Sequence, residues 1–202
     1  MKKILIVLVM ISFLFTSHIY GEVDGWKDYK FGMSIEEVDG IMKNKCKGNY
    51  EVSPDQIKSK TGEPCFSIVG FQPNNEEFSF KNNKLVFIHF HLTFTNDMGL
   101  HEQSKSGNLI NHLIKENEYE IYVDKILKAL KKKYGYVGEF KENDKTSYVA
   151  FGNGQIIAKT YTYAPEPTKF EYSFSLWYLP LNQAKEMLIE LGIVKKTTED
   201  DL

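Results

Sequence analysis

The stretch that decides the fold is Gly25–Val38, "GWKDYKFGMSIEEV". Ser34 followed three residues later by Glu37 is a capping box, in which each side chain accepts a backbone N–H from the other's turn. Met33 before the cap and Val38 after it are placed to close a hydrophobic staple. Glu36 and Glu37 sit at the positive end of the helix dipole. Ile35, Val38, Ile41 and Met42 then give the apolar stripe of a helix running to about Lys45. Gly32 permits a tight entry, which Phe31 and Trp26 pin by burial. The stretch therefore reads as a helix start with aromatic anchors; the alternative is a ligand-binding role for Trp26.

Upstream, "MKKILIVLVMISFLFTSHIYGE" places two lysines before an apolar run from Ile4 to Phe15, followed by Ser17–Gly21. That is the order of a secretory signal peptide over 1–21, and its apolar core is too short to span a bilayer as a helix. The alternative is a retained N-terminal anchor. Cleavage near Gly21 leaves about 180 residues, enough for one domain or two fused lobes. No cysteine follows the apolar run to take a lipid; the first is Cys46. In an exported chain, Cys46 and Cys65 are expected to form one disulfide. A reactive thiol or metal ligand is the alternative.

All 25 basic residues are lysines, and 27 acids outnumber them. Without the arginine fork and with a net acidic charge, the chain lacks what collects and reads nucleic acid, so no nucleic-acid partner is expected.

Downstream, "CFSIVGF" from Cys65 suggests a strand, and "FSFKNNKLVFIHFHLTF" suggests two strands around Lys81–Lys84. Val86, Ile88, Phe90, Leu92 and Phe94 fall on one face. Leu85, Phe87, His89, His91 and Thr93 fall on the other, as in an antiparallel sheet with one packed side. Thr95–Lys105 reads as a polar loop. Helical character returns near Asn108 and is strong from Tyr119 through Val123, Ile126, Leu127, Leu130 and Tyr134, ending at Gly135. Lys128, Lys131, Lys132 and Lys133 suit the negative end of that helix. Asn153-Gly154 marks a hairpin. Phe170–Leu179 alternates Phe170, Tyr172, Phe174, Leu176 and Tyr178 on one side, and Pro180 stops it. Leu181, Ala184, Leu188 and Leu191 mark a short closing helix before Gly192, and the charged tail 195–202 reads as disordered.

The order predicts an α+β fold: antiparallel sheet with helices packed on one face. It is read as one domain over 22–194, with a faint duplication into two helix-plus-strands units (22–106 and 107–194).

The residues Trp26, Phe31, Gly32, Met33, Ser34, Glu37 and Val38 form a pattern that resembles the entry motif of many small exported bacterial proteins, most of them uncharacterised. It is similar to the Gly-Met-Ser/Thr helix start of the SmpA/OmlA outer-membrane assembly lipoproteins and of β-lactamase-inhibitor-like domains. "FSFKNNKLVFI" and "LKALKKKYG" also resemble segments of those uncharacterised proteins. Together these segments cover about a third of the exported chain. The resemblance implies a motif used as structure and a chain that binds a partner rather than turning over a substrate. The chain departs from the assembly lipoproteins in having no lipidated cysteine and in carrying Gly48-Asn49-Tyr50 where a Gly-x-Pro turn is expected.

No nucleophile elbow, phosphate-binding loop or dinucleotide fingerprint is present. His101-Glu102 begins like a zinc-protease helix, but Lys105 stands where the second histidine belongs. No cofactor is implied. His89 and His91 point to the same side of a strand and could share a metal, with His101 or His112 as a third ligand. Tyr161, Tyr163, Tyr172 and Tyr178 suit protein or carbohydrate binding if they share an exposed sheet face, and otherwise edge the core. The expectation is a periplasmic or secreted, non-catalytic binding or inhibitor-like protein. Its partner would be an envelope protein, its contact surface the sheet face and the 95–107 loop, and no transmembrane segment is expected in the mature chain. An envelope metalloprotein or hydrolase using His89 and His91 is the alternative; a scaffold without a specific ligand is a third reading.

Overall fold

Ser34 and Glu37 cap each other. In the computed structural model, which describes residues 22–60, 65–68, 70, 72–97, 105–166 and 169–194, Ser34 Oγ accepts from Glu37 N at 3.3 Å. Ser34 N donates to the Glu37 carboxylate at 2.8 Å. Helix α1 follows at Ile35–Cys46, with Val38, Met42 and Cys46 buried. The preceding residues form a small hairpin of β1 (Gly25–Trp26) and β2 (Tyr29–Lys30). At Gly25 φ is +144°, and a Cβ there would run into the Tyr29 carbonyl oxygen. Only glycine fits that close approach.

The same motif is fastened to the sheet. Gly32 N donates to Leu85 O at 2.9 Å, and Leu85 N donates to Met33 O at 2.8 Å. Asn83, in the turn between the next two strands, accepts from Ile35 N at 3.0 Å, so a distant side chain satisfies another free N–H of the helix start. Replacing Ser34 by alanine is expected to lower stability by about 1 kcal/mol, read from the midpoint of a denaturant titration.

Eight strands form the main sheet: β3 (Tyr50–Ser53), β4 (Gln56–Ser59), β5 (Asn75–Lys81), β6 (Lys84–Asp97), β7 (Tyr136–Asn143), β8 (Thr146–Phe151), β9 (Ile156–Glu166) and β10 (Lys169–Tyr178). Helix α2 (Lys105–Tyr134) joins β6 to β7, and α3 (Leu181–Glu190) closes the described fold. Every neighbouring pair is antiparallel, and the spatial order is β3-β4-β5-β6-β10-β9-β8-β7. Each half is thus a helix followed by a four-stranded meander, and the halves join through their last strands. The fold is α+β, as the periodicity predicts.

The core lies between the sheet and α1 and α2. Trp26, Tyr29, Phe66, Phe78 and Phe90 form its aromatic centre, with Trp26 4.5 Å from Phe90 and Tyr29 4.6 Å from Phe78 between ring centroids. Trp26 is a buried anchor, 6% exposed. Tyr119, Val123, Ile126 and Leu130 bring α2 onto the same side. The short α3 differs. Its Ala184 packs with Tyr148 and Ile157 on the opposite face, so the one-face arrangement holds for the two long helices alone.

Local expectations are corrected in three places. Cys65–Ser67 is a loop segment rather than a strand, since Cys65 N and Phe66 N go to a side chain described below, and a single-residue bridge follows at Ile68. The strand β6 runs on to Asp97 and α2 begins at Lys105, which confines the expected polar loop to 98–104, outside the described residues. The outer strands β3 and β7 carry polar residues on both faces and give little alternation to read. The expected signal segment 1–21, the expected tail 195–202 and His101 also lie outside the described residues.

Cys46 and Cys65 form the disulfide, with Cα atoms 4.8 Å apart and a sequence separation of 19. It ties the end of α1 to the segment before β5. Replacing both cysteines by serine is expected to remove about 3 kcal/mol, by releasing loop entropy to the unfolded chain; denaturant titration of oxidised chain and variant reads the loss.

Candidate functional site

Side chains along β6, β10 and β9 alternate between two faces, and register fixes which share the open one. His91 pairs with Ser175 and Thr93 with Ser173; on the other side Ser175 pairs with Lys159 and Ser173 with Tyr161. The central strand β10 therefore presents large Tyr172, Phe174 and Leu176 to the helices and small Ser173 and Ser175 to the open face. Two serines between bulkier neighbours leave a trough of about 270 Å³. Its walls are His91 from β6 and Lys159 and Tyr161 from β9; Glu171 and Trp177 stand at its ends.

His91 is held on both ring nitrogens, Nδ1 with Ser175 Oγ at 2.9 Å and Nε2 with Thr93 Oγ1 at 2.8 Å. Burial lowers its pKa against the opposing charge of Glu171. His89, one step along the strand, lies 6.0 Å from His91 and 6.3 Å from Trp177 between ring centroids. Burial pushes its pKa down to about 4; His91 and Lys58 add to this and Glu77 opposes it. At neutral pH His89 is uncharged, and its buried Nε2 meets no hydrogen-bond partner among the described residues.

Sequence places both histidines on one face, and the structure agrees. Among the described residues, however, no group of three metal-ligating side chains comes together. His91 has both nitrogens engaged by hydroxyls, and the side chains of His101 and His112 lie outside what is described.

The tyrosines divide. Tyr161 and Tyr163 share the open face with rings stacked at 6.1 Å, and Tyr163 is 46% exposed. The Lys159 ammonium lies 5.9 Å from the Tyr161 ring and 5.4 Å from that of Tyr148. Tyr172 and Tyr178 are not surface residues, and the expectation that they bind is corrected. Both point to the helices, where Tyr172 packs on Tyr119 at 5.2 Å and Tyr178 on Phe90 at 6.2 Å. Their own alternation with Phe174 and Leu176 explains it, since one face of a strand cannot serve both core and surface.

Beyond Trp177 the open face turns apolar: Phe87, Trp177 and Phe140 pack against the cluster that α3 covers. The uncovered part of the face is thus bounded at one end by α3.

One buried acid is missing from the sequence reading. Glu76 is fully buried on the helix side, where its carboxylate accepts from Cys65 N and Phe66 N at 2.7–3.1 Å, while Glu76 N donates to Ser59 Oγ at 2.9 Å. Burial raises its pKa to about 7 although those N–H groups and Lys27 pull it down. The signal was there: Glu76, Phe78 and Phe80 share one strand face, and an acid in an apolar row needs a partner. Glu76 holds the disulfide-linked loop rather than facing solvent, which makes it a structural acid.

Among known proteins, no family model, no curated protein and no solved structure matches the chain.

Proposed function

We propose that the chain is an exported, non-catalytic binding protein whose open sheet face takes a protein partner in the bacterial envelope, in the manner of an inhibitor or accessory factor. The observation that carries this reading is the trough over Ser173 and Ser175, flanked by half-buried His91, Trp177 and Tyr161 and by exposed Tyr163. Aromatic side chains on a rigid sheet supply contact area with little entropy to lose, and such residues dominate binding hot spots. The opposite face is filled by α1 and α2. Export is supported by the leader-like first residues and by the disulfide, which persists in oxidising compartments. No helix of the described residues is long and apolar enough to cross a membrane.

The envelope metalloprotein or hydrolase reading at His89 and His91 has less support. Both nitrogens of His91 are committed to hydroxyls, and the free nitrogen of His89 is buried. Calorimetry with zinc or copper on a His89→Ala, His91→Ala double variant separates the readings; loss of a tight site would favour the metal.

The binding reading is tested with the chain from residue 22 as bait in envelope extract. A Tyr161→Ala, Tyr163→Ala double variant is expected to weaken capture of a saturable partner about tenfold or more. Lys125→Glu, on the exposed side of α2, is expected to leave capture unchanged. Equal capture by all three, or no saturable partner, counts against the proposal.

A further inference from the structure

Among the described residues the main sheet has two unpaired edges of different kinds. The β3 edge is four residues long and runs straight into a turn at Pro54. The β7 edge is eight residues long, "YVGEFKEN"; among the described residues it pairs with β8 alone, and irregularities between Tyr136 and Gly138 and between Lys141 and Asn143 leave Gly138–Lys141 as its regular stretch. Short edges and bulges are common ways to prevent strand addition; in β7 the regular stretch between the two irregularities is what stays open to a partner. Near β7, Ile193 lies over Gly138 and Gly192 over Phe140. Both sit against the open sheet face, the side Phe140 shares with its cross-strand neighbour Tyr148, rather than along the edge.

The charges on β7 discriminate among registers. Glu139 and Lys141 are exposed and lie on the same face, with half-buried Phe140 between them on the other. Suppose a second copy pairs antiparallel with β7 and Phe140 faces Phe140 at the dyad. Each Glu139 then stands opposite the other chain's Lys141, giving two cross-strand pairs of opposite charge, and the two Phe140 rings meet. Moving the dyad to Glu139 sets glutamate against glutamate, and moving it to Lys141 sets lysine against lysine. Opposite charges directly across a ladder stabilise it and like charges destabilise it. The same residues that discourage random strand addition therefore permit one register.

We propose that β7 is a homodimerisation edge. Two copies pair antiparallel with Phe140 at the dyad, within the regular stretch of β7, which makes one continuous sixteen-stranded sheet. The existing partners of the two charges are weak competitors. Lys141 Nζ holds Asp144 at 3.0 Å with both side chains exposed, and Glu139 bonds the exposed Tyr136 hydroxyl. The dyad is perpendicular to the sheet, so the two open faces look the same way and the two troughs are presented side by side. A partner with two docking segments would gain from that arrangement. The area joined by one pair of strands is small, so the dimer is weak and concentration-dependent.

Sedimentation velocity on the chain from residue 22, across a wide concentration range, tests this. The wild type is expected to show a monomer–dimer equilibrium. Lys141→Glu is expected to raise the dimer dissociation constant about tenfold or more, since both cross-strand pairs become repulsive. Glu139→Lys, Lys141→Glu together restore opposite charges in the same register and are expected to recover wild-type association. The substituted residues are exposed, so matching thermal melts show that each variant is folded. A monomer at every concentration overturns the proposal, whether the edge is bare or capped by its own chain. So does a dimer indifferent to Lys141→Glu, or a double variant that stays as weak as the single one.

Discussion

Phe90→Ala is expected to lower the stability of the fold by about 3–5 kcal/mol, the cost of removing a large aromatic from a packed core. Phe90 is fully buried on β6, between Trp26 of the N-terminal hairpin, Phe78 of β5 and Tyr178 of β10. Its loss opens a cavity where the entry motif, the first meander and the junction of the two halves meet, and none of the three can close it alone. The neighbouring Phe87→Ala is the control. Phe87 points to the other face, is half-buried, and is expected to cost about half as much or less. Guanidinium titrations of the two variants give the difference. Equal losses would contradict the assignment of Phe90 to the packed face and Phe87 to the open one.

The second large effect depends on pH. His89 has its pKa depressed from 6.5 to about 4. The unfolded chain therefore takes up a proton first as pH falls, and the stability that neutral His89 contributes above pH 6.5 is lost on the way to pH 4. Glu76 has its pKa raised from 4.5 to about 7. Its contribution is present below pH 4.5 and is lost as pH rises through 7, when the unfolded chain ionises first. Each shift is worth roughly 3 kcal/mol at full development, with opposite sign over nearly the same window. The two slopes offset each other in the wild type, and either substitution exposes the other. Glu76→Gln keeps an acceptor oxygen for the loop N–H groups; relative to wild type it is expected to gain about 3 kcal/mol between pH 4.5 and 7.5. His89→Gln is expected to lose a similar amount relative to wild type over the same range. His91 titrates in the same direction as His89 and remains in both proteins, so the comparison with wild type removes it. Denaturant titrations at the two pH values check both signs. Curves that stay parallel to wild type would show that neither group carries the shift.

What the sequence made legible was local. The capping box at Ser34 and Glu37 and the hairpin at Asn82-Asn83, both with positive φ, are written in adjacent residues, and so is the stop at Gly135. The alternation of β6 correctly separated Phe90 from His89 and His91. The order of elements suggests two helix-plus-strands units, and the strand pairing is two meanders joined at β6 and β10.

What stayed hidden depended on long-range placement. The outer strands β3 and β7 have mostly exposed, mixed side chains, because an edge has little core to face, so no period announces them. Asn83 completing the start of α1 requires knowing that the hairpin turn folds beside it. Glu76 makes sense only once Cys65 and Phe66 present their N–H groups to it. The trough was invisible because it consists of what is absent: two serines between large neighbours from strands far apart in sequence. Tyr161 and Tyr163 alternate on the open face and stack there, whereas Tyr172 and Tyr178 share residue type with them but alternate with Phe174 and Leu176 on the core side.

The account rests on the sheet's having one face for the core and one for a partner. Photo-crosslinking tests it most directly: a benzophenone side chain is placed at Tyr161 on the open face or at Lys125 on the outer side of α2, and each protein is irradiated in envelope extract. The account predicts a single saturable adduct from position 161 and none from position 125. Adducts from position 125 alone, the same adducts from both, or none from either would contradict it.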